Sequence, residues 1–462
     1  MTTNGNVSFW YAADGLPAPR PALAGDLEVD VVIVGAGYTG LWSAYYLAKA
    51  DPALRIAVLE SRFAGFGASG RNGGWLANSI TGGREGYLKS HGRALVGDFQ
   101  RMLNDTIDEV IDVAAAEGIE AHIHKGGELL VARNQAQLGR LKAMAADQMA
   151  WPEDEAVRLS ADETLARINV AGALGSIHIP HCARLDPGRL VRGLAGAVER
   201  LGVRIYENTL VTEIQPAAKG SNAYAVTERG SVRAGHVLRA TEGFTANLAS
   251  AHRDWLPMNS SMIVTTPLDE DIWEQLGWEG LETLEDFAHA YVYLQRTHDG
   301  RIAIGGRGVP YRYGSRTDMD GSTQPATIKA LTGILHSMFP AASAARIDHA
   351  WSGVLGVPRD WRATVNYDRA TGLGFAGGYV GTGVTATNLA GRTLADLVLG
   401  RDTEATAMPW VNRTVRRWEP EPLRWLAVKG MYGLYHRADK QEADGRMTTS
   451  PLARLANRIS GR

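Results

Sequence analysis

A continuously apolar segment near the amino terminus predicts a buried β-strand. Residues 29–34 (VDVVIV) are almost all β-branched and apolar, which is typical of a parallel strand covered on both faces. A glycine turn and a helical segment, 41–50 (LWSAYYLAKA), follow. Residues 55–60 (RIAVLE) predict the next strand. This order of strand, turn, helix and strand predicts a βαβ unit of about thirty residues.

The remaining pattern predicts a mixture of strands and helices without internal repeats or a low-complexity linker. Residues 186–203 (DPGRLVRGLAGAVERLGV) predict an amphipathic helix, with Asp186 as its N-cap and Pro187 at its first position. We therefore expect two interleaved lobes. The other expected elements begin with helices around a short strand pair near 126–133 and strands within 204–215, 223–230 and 236–243. A hairpin is expected over 291–308, and a strand, a glycine turn and a long helix are expected over 372–400.

Composition indicates a globular protein with a large core, because 45% of the 462 residues are hydrophobic. The formal net charge of -2 gives no global attraction to nucleic acid or to an anionic membrane. The single cysteine, Cys182, excludes an internal disulfide framework and predicts a reducing compartment. Residues 1–15 lack the basic and apolar regions of a secretory signal, so a cytoplasmic location is expected.

Three glycines form the spacing G-x-G-x-x-G between the first predicted strand and helix. They are Gly35, Gly37 and Gly40, and Glu60 ends the next predicted strand. In this context, main chain without side chains can approach a pyrophosphate at a helix N-terminus, while the acid accepts ribose hydroxyls. The sequence therefore predicts a dinucleotide site, although the spacing alone does not separate NAD from FAD.

A second glycine cluster, 65–75 (GFGASGRNGGW), favours FAD. It holds five glycines in eleven residues, and extended FAD needs closely approaching main chain over both its pyrophosphate and its ring. A mobile surface loop is the alternative. Arg71 and Asn72 offer polar partners for a cofactor, and Trp75 argues for packing, so we favour the cofactor interpretation.

Five segments together resemble the FAD-dependent D-amino-acid oxidase superfamily, most closely its gamma-glutamylputrescine oxidase-like bacterial amine oxidases. The resemblance implies an α/β fold in which a glutathione-reductase-like, Rossmann-type FAD-binding lobe interleaves with a β-sheet-based substrate lobe. It divides the chain into FAD-lobe segments 1–85, 155–246 and 350–410, substrate-lobe segments 86–154 and 247–349, and a C-terminal helical extension, 411–462. The segments that carry the resemblance are 29–49, 67–75, 185–214, 299–307 and 377–400.

The resemblance also implies which residues contact the cofactor. Tyr38 and Thr39 join the first glycine motif, and Ser61 and Arg62 follow Glu60 on the adenine side. Main chain at Val211 is expected to meet adenine, and the last helix is expected to direct its N-terminus at the flavin. The further expected FAD contacts are Gly67, Ala68, Ser69, Arg71, Asn72, Gly73, Gly74, Trp75, Thr241, Gly243, Gly381, Thr382, Gly383 and Val384.

Two differences between this sequence and its relatives lead to expectations about how flavin is attached and which electron acceptor is used. Some relatives attach flavin through a cysteine in the C-terminal part or a histidine in the glycine loop. Here that loop has no histidine and Cys182 is mid-chain, so we expect non-covalent FAD. Sarcosine oxidases place an oxygen-activating lysine where this chain has Ala303. Oxygen remains the expected acceptor, giving hydrogen peroxide, with a quinone or protein acceptor as the alternative.

The family's reaction oxidises a C–N bond of a primary or secondary amine or amino acid to an imine, which water hydrolyses. A biosynthetic enzyme acting on a tailored amine is a further alternative. The partner is expected to be this small molecule, with neither nucleic acid nor membrane contact. The basic, aromatic tail is predicted to form helices packed on the enzyme. The candidates for an apolar substrate wall are the aromatic residues Trp75, Tyr291, Tyr293 and Trp351. The candidates for clamping a substrate carboxylate are Arg296, Arg307 and Arg312. His178 and His181 are weaker candidates, for proton transfer, and no metal site is predicted.

Overall fold

The computed structural model describes residues 2–306, 308, 310–317 and 320–460. Two large β-sheets organise this part of the chain. The helices are α1 (Phe9–Asp14), α2 (Tyr38–Ala50), α3 (Glu85–Ala116), α4 (Gln135–Gln148), α5 (Ala161–Leu165), α6 (Pro187–Arg200), α7 (Glu270–Leu276), α8 (Pro325–Met338), α9 (Gly383–Leu399), α10 (Leu423–Ala443) and α11 (Pro451–Ser460). The strands are β1 (Thr3–Asn4), β2 (Leu27–Val34), β3 (Ile56–Leu59), β4 (Trp75–Ala77), β5 (Glu128–Ala132), β6 (Val157–Leu159), β7 (Gly175–Ile179), β8 (Cys182–Arg184), β9 (Arg204–Tyr206), β10 (Val211–Gln215), β11 (Ala223–Thr227), β12 (Gly230–Arg239), β13 (Trp255–Thr265), β14 (Thr283–Asp286), β15 (Val292–Arg296), β16 (Ile302–Gly306), β17 (Ile347–Pro358), β18 (Thr364–Asp368) and β19 (Leu373–Gly377).

An eight-stranded sheet carries the predicted βαβ unit. Its order is β10-β11-β12-β2-β3-β9, and β19 pairs with both β12 and β18. Strands β12, β2, β3 and β9 are parallel neighbours. Ile33 packs into a core with α2 and α6, while Val32 packs on the opposite face with β11 and β12 residues. Burial on both faces confirms the prediction made from the apolar run of β2.

A nine-stranded mixed sheet forms the second lobe. Its order is β1-β17-β13-β16-β15-β14-β5-β7-β6. Helices α7 and α8 cover one face through a core that includes Ile263, Leu294 and Leu335. The expected hairpin is present as the antiparallel pair β15 and β16. Helix α6 also begins as predicted, with the Asp186 side chain accepting a hydrogen bond from the Arg189 amide.

Sheet membership differs from the division expected from the sequence. Strands β6 and β7, within 155–246, and most of β17, within 350–410, belong to the nine-stranded sheet. The expected strand pair near 126–133 is a single strand, β5, whose partners are β7 and β14. These pairings join segments distant in sequence, so local apolar patterns do not determine them.

The C-terminal tail packs on the second lobe, as predicted. Side chains of α10 and α11 form a core with Leu256 and Met258 of β13 and Val357 of β17. Glu442 of α10 is paired with Arg140 at 2.8 Å and lies 2.9 Å from His289 Nε2. In the described ranges, no helix is both long and apolar enough to cross a membrane.

Candidate active site

A cavity of about 650 Å³ lies between the two sheets. One end meets the carboxyl ends of β2 and β3, which is where ligands bind in parallel α/β sheets. The other end reaches residues of the nine-stranded sheet, including Tyr293 and Ser260. The cavity therefore connects the predicted dinucleotide motif to the predicted substrate lobe.

The first glycine motif forms the turn between β2 and α2. Gly35 has φ +105°, and a Cβ there would lie 2.6 Å from the Ala240 carbonyl oxygen. A Cβ on Gly40 would lie 2.0 Å from the Gly35 carbonyl oxygen. Gly40 is not among the described cavity-lining residues, so it serves the turn itself. Gly37 lines the cavity directly before α2, whose first amides offer donors to an anion.

Glu60 holds a fixed position beside this turn. Its carboxylate accepts hydrogen bonds from the Ala36 and Arg62 amides, both at 2.9 Å, and from the Ser61 hydroxyl at 3.1 Å. Burial raises the pKa of Glu60. The side chain lines the cavity, together with Ser61 and Arg62. This end can therefore accept hydrogen bonds from sugar hydroxyls.

The second glycine cluster crosses the cavity as a loop that fixes its own polar side chains. Ser69 Oγ accepts a hydrogen bond from the Tyr38 amide at 2.8 Å. Asn72 donates to the Ala68 and Ser69 carbonyls, and its Oδ1 accepts from the Gly74 amide at 2.8 Å. These bonds hold the loop against the start of α2, so that both glycine segments face one cavity.

Arg71 belongs to this loop and is buried, with 3% of its surface exposed. Its Nε donates to the Phe66 carbonyl at 2.8 Å, and its guanidinium lies 4.4 Å from the Phe66 ring centroid. Trp351 lies behind Arg71 and donates from Nε1 to the Arg71 carbonyl at 2.8 Å. Arg71 lines the cavity, whereas Trp351 is fully buried and is not among its described lining residues. Trp351 therefore supports the loop and does not form the substrate wall predicted for it.

An aromatic wall bounds the substrate end. The rings of Trp75 and Tyr293 meet edge to face at 6.0 Å, and Tyr291 also lines the cavity. A Cβ on Gly73 would lie 2.8 Å from the Tyr293 ring, so glycine permits this contact. The Tyr293 hydroxyl lies 2.9 Å from the Ser260 hydroxyl. The sequence-predicted Trp75, Tyr291 and Tyr293 therefore come together.

The start of α9 forms the third boundary. The cavity is lined here by Gly381, Thr382, Gly383 and Val384. Thr382 is the N-cap residue of α9, and its side chain makes no hydrogen bond to the amides of the first helical turn. Because an α-helix carries partial positive charge at its N-terminus, α9 can stabilise negative charge here. Val211 and Thr241 line the cavity as well. Gly243 is not among the described lining residues, since it packs against β17, where its Cβ would lie 2.7 Å from Val354.

Glu242 is a site residue that the sequence interpretation missed. It has φ +42° and accepts hydrogen bonds from the Gly356, Gly378 and Tyr379 amides at 2.9 to 3.3 Å. Burial raises its pKa to about 7. Glu242 lines the cavity and fixes the turn before α9. The available signal in the sequence was an acid three residues after the end of β12.

The predicted carboxylate clamps Arg296 and Arg312 are not among the described cavity-lining residues. Arg296 follows Tyr293 by three residues, so the two side chains leave β15 on opposite faces. Its guanidinium lies 4.1 Å from the Trp273 ring centroid and donates to the Trp278 carbonyl. Arg296 is therefore no clamp for a ligand in this cavity. Arg312, like His178 and His181, is not among the described cavity-lining residues, and Arg307 lies outside the residues that the structure describes.

The cavity fits an extended FAD. The Gly37 and α2 end supplies amide donors suited to a pyrophosphate, and Glu60 supplies acceptors suited to a ribose. At the other end, Gly73 and the aromatic wall suit a flat ring. The remaining predicted contacts that line the cavity are Gly35, Tyr38, Thr39, Gly67, Ala68, Ser69 and Asn72. The predicted contact Gly74 is not among the described lining residues, because it packs against Gln295 and the Leu185 carbonyl.

A dinucleotide-binding sheet facing a larger mixed sheet across such a cavity defines a two-lobed flavin-dependent oxidoreductase. The chain belongs to the FAD-dependent oxidoreductase family designated DAO, whose sequence profile matches residues 30–397.

Individual relatives agree with this assignment. The chain is 29% identical over 408 residues to the gamma-glutamylputrescine oxidoreductase of Escherichia coli strain K12, covering 86% of this chain and 90% of that protein. It is 24% identical over 393 residues to a sarcosine oxidase beta subunit from Arthrobacter, covering 82% and 89%. The solved glycine oxidase of Geobacillus kaustophilus superposes with a TM-score of 0.68 at 21% identity, covering 82% of this chain and 96% of that one.

Proposed function

We propose that this protein oxidises a C–N bond of a primary or secondary amine or amino acid to an imine, with non-covalently bound FAD and O2 as acceptor. The observation that carries the proposal is the continuity of the cavity, from the Gly37 turn to the Trp75 and Tyr293 wall. The names of the relatives support the substrate class, since they include an oxidoreductase of gamma-glutamylputrescine and oxidases of sarcosine and glycine.

The proposed chemistry divides between cofactor and protein. When bound, FAD would accept a hydride equivalent from the carbon next to the substrate nitrogen. The aromatic wall excludes water from the amine and favours its neutral form, because burial disfavours a charged ammonium. The proposed catalytic residues are therefore Trp75 and Tyr293, which position the amine. Water then hydrolyses the released imine to a carbonyl product and an amine or ammonia.

Non-covalent attachment is supported by the chemistry of the cavity wall. None of the described lining residues is a cysteine or histidine. Cys182 is fully buried, with its sulfur 3.2 Å from the Thr283 hydroxyl. Acid precipitation of the purified holoprotein tests this directly. FAD should leave with the supernatant, and yellow colour retained in the pellet would contradict the proposal.

A dehydrogenase that passes electrons to a quinone or protein is the second candidate. The observation that supports this second candidate is that Ala303 is buried beside Met262 and Trp351, and none of the described cavity-lining residues is a lysine. Anaerobic reduction by an amine, followed by mixing with air, distinguishes the two. Reoxidation within seconds supports the oxidase, and slower reoxidation favours the dehydrogenase.

A further inference from the structure

The structure contains a second, smaller cavity of about 230 Å³, and none of its described lining residues also lines the large cavity. Trp75 of β4 pairs directly with Arg184 of β8, so both side chains leave the same face of this two-stranded sheet. The Trp75 ring meets Tyr293 of β15. Arg184 instead lines the small cavity, together with Gln295 and Thr297 from further along the chain. The small cavity therefore lies beyond the aromatic wall, on the same side of β15.

Arg184 is buried at this cavity without an opposite charge. It is 7% exposed, and its Nε is buried without a hydrogen-bond partner. Its guanidinium makes no hydrogen bond or ion pair with any residue that the structure describes. Burial lowers the pKa of Arg184, yet a guanidinium stays protonated at neutral pH. Because buried charges are normally paired, an anion in the cavity would supply the partner that Arg184 lacks.

The acidic residues that line the small cavity already have partners. Asp14 pairs with two arginines of α6, at 2.6 and 2.8 Å. Asp186 accepts a hydrogen bond from the Arg189 amide at 3.0 Å and lies 3.8 Å from its Nε. Asp299 pairs with Arg301 at 2.6 Å. The charge of Arg184 is therefore left in excess, and it matches an anion that carries a single negative charge.

Two histidines form the outer side of this cavity. The rings of His122 and His298 are stacked, with centroids 3.7 Å apart and an interplanar angle of 6°. Neither ring forms a hydrogen bond within the described part of the chain, so each neutral imidazole has an N–H group available to an acceptor. His298 is exposed, so this side of the cavity reaches the surface. A ligand can enter here without passing through the large cavity.

The size and the walls of the small cavity limit the class of ligand. Liquid water occupies about 30 Å³ per molecule, so the cavity has room for a compact organic molecule. The apolar part of its wall is formed by Phe9, Trp10 and Leu185. A planar guanidinium binds a carboxylate through two parallel hydrogen bonds. These features favour a small carboxylate with an apolar body over a doubly charged phosphate.

We propose that the small cavity binds a small monocarboxylate, with its carboxylate on Arg184 and its apolar body against Phe9, Trp10 and Leu185. This ligand is distinct from the amine that the proposed function assigns to the large cavity. The two sites are independent in their test, because binding of a carboxylate requires neither an amine nor turnover.

Calorimetric titration of the FAD-loaded, full-length protein with butyrate tests the proposal. Wild type should bind butyrate with a dissociation constant of about 1 mM and neutral butyramide at least about tenfold more weakly. Arg184→Gln removes the charge and should weaken butyrate binding about tenfold. Its flavin absorption spectrum should remain that of wild type, which shows that the large cavity is intact. Arg158→Gln, at an exposed position of β6, is the control and should bind butyrate as wild type does.

The carboxylate site would be overturned if wild type bound no butyrate or bound butyramide equally well. Tighter binding of inorganic phosphate than of butyrate would contradict the assignment to a monocarboxylate, and unaltered butyrate binding in Arg184→Gln would contradict the role of Arg184. Should Arg184→Gln fail to fold, His298→Glu decides, since it adds a negative charge at the exposed side of the cavity. It should weaken butyrate binding about tenfold, and unaltered binding would exclude the carboxylate from this cavity.

Discussion

Gln295 ties the glycine loop to the substrate sheet, because its Nε2 donates to the Gly73 carbonyl at 2.5 Å. The same nitrogen lies 3.2 Å from the Leu185 carbonyl oxygen. Gln295 is 1% exposed and sits on β15, two residues beyond Tyr293. One buried amide therefore sets the spacing between the loop at the proposed flavin site and the aromatic wall.

Replacing Gln295 with leucine should loosen that loop. Gln295→Leu keeps most of the volume and leaves two buried carbonyls without a donor, at an expected cost of about 1–3 kcal/mol in the free energy of unfolding. FAD affinity should fall as well, since the loop would lose its anchor. Urea unfolding and FAD titration measure the two effects. Gln275→Ala, on the exposed side of α7, should change neither. Unaltered stability and affinity in Gln295→Leu would show that the anchor is dispensable.

Adding one methyl group at Gly37 should weaken FAD binding. The Cβ would lie 2.9 Å from Ser69 Oγ, at the start of α2 where the cavity meets the helix N-terminus. We expect Gly37→Ala to raise the FAD dissociation constant about tenfold, equal to about 1.4 kcal/mol. Equilibrium titration of apoprotein with FAD measures this.

The control uses a glycine of α4 with open space around it. A Cβ on Gly139 would meet nothing within 4 Å. Gly139→Ala should leave FAD affinity unchanged and raise stability by up to about 1 kcal/mol, through helix propensity. Equal FAD affinity in Gly37→Ala and wild type would argue against a pyrophosphate at this turn.

Local patterns predicted the elements that bring the cofactor motif together. The run of β2, the glycine turn and α2 are contiguous, so their periodicity and turn chemistry suffice. The predicted role of Arg296 as a carboxylate clamp shows a limit of local patterns. Arg296 follows Tyr293 by three residues on the same strand, so its side chain projects from the opposite face of the sheet. Trp351 shows a second limit, because aromatic residues suit both a cavity wall and the packing behind a loop.

Long-range pairing and isolated acids were harder to predict. Strand β7 joins the nine-stranded sheet through β5, and β17 joins it through β13, and each of these pairings spans more than forty residues of sequence. Glu128 begins the apolar strand β5 and Glu242 lies three residues beyond β12. Each has a basic residue three positions earlier in sequence, Lys125 or Arg239. The sequence therefore does not distinguish these acids from members of surface ion pairs, and only the three-dimensional arrangement shows that both side chains line one cavity.

Glu242 should make stability depend on pH. Its folded-state pKa of about 7 exceeds the ordinary value of 4.5, so the folded protein binds this proton more tightly than the unfolded chain. The contribution is fully present below about pH 4.5 and is lost as pH rises through about 7, with a magnitude on the order of 1–3 kcal/mol. Unfolding free energies of wild type and Glu242→Gln across this range isolate it. Parallel pH profiles for the two proteins would contradict the assignment to Glu242.

Glu442 should anchor the C-terminal helices to the second lobe. It is 1% exposed, pairs with Arg140, lies beside His289 and accepts the Ser450 amide at 2.9 Å. Removing the charge from such a buried pair leaves Arg140 uncompensated, so Glu442→Gln should lower the free energy of unfolding by about 3 kcal/mol. Limited proteolysis should also release the tail faster. Asp444→Asn, an exposed acid just beyond α10, should behave like wild type. If both variants resist protease and urea equally, the apolar side chains of α10 and α11 are sufficient to keep the tail packed, and the contacts of Glu442 with Arg140 and His289 are not required.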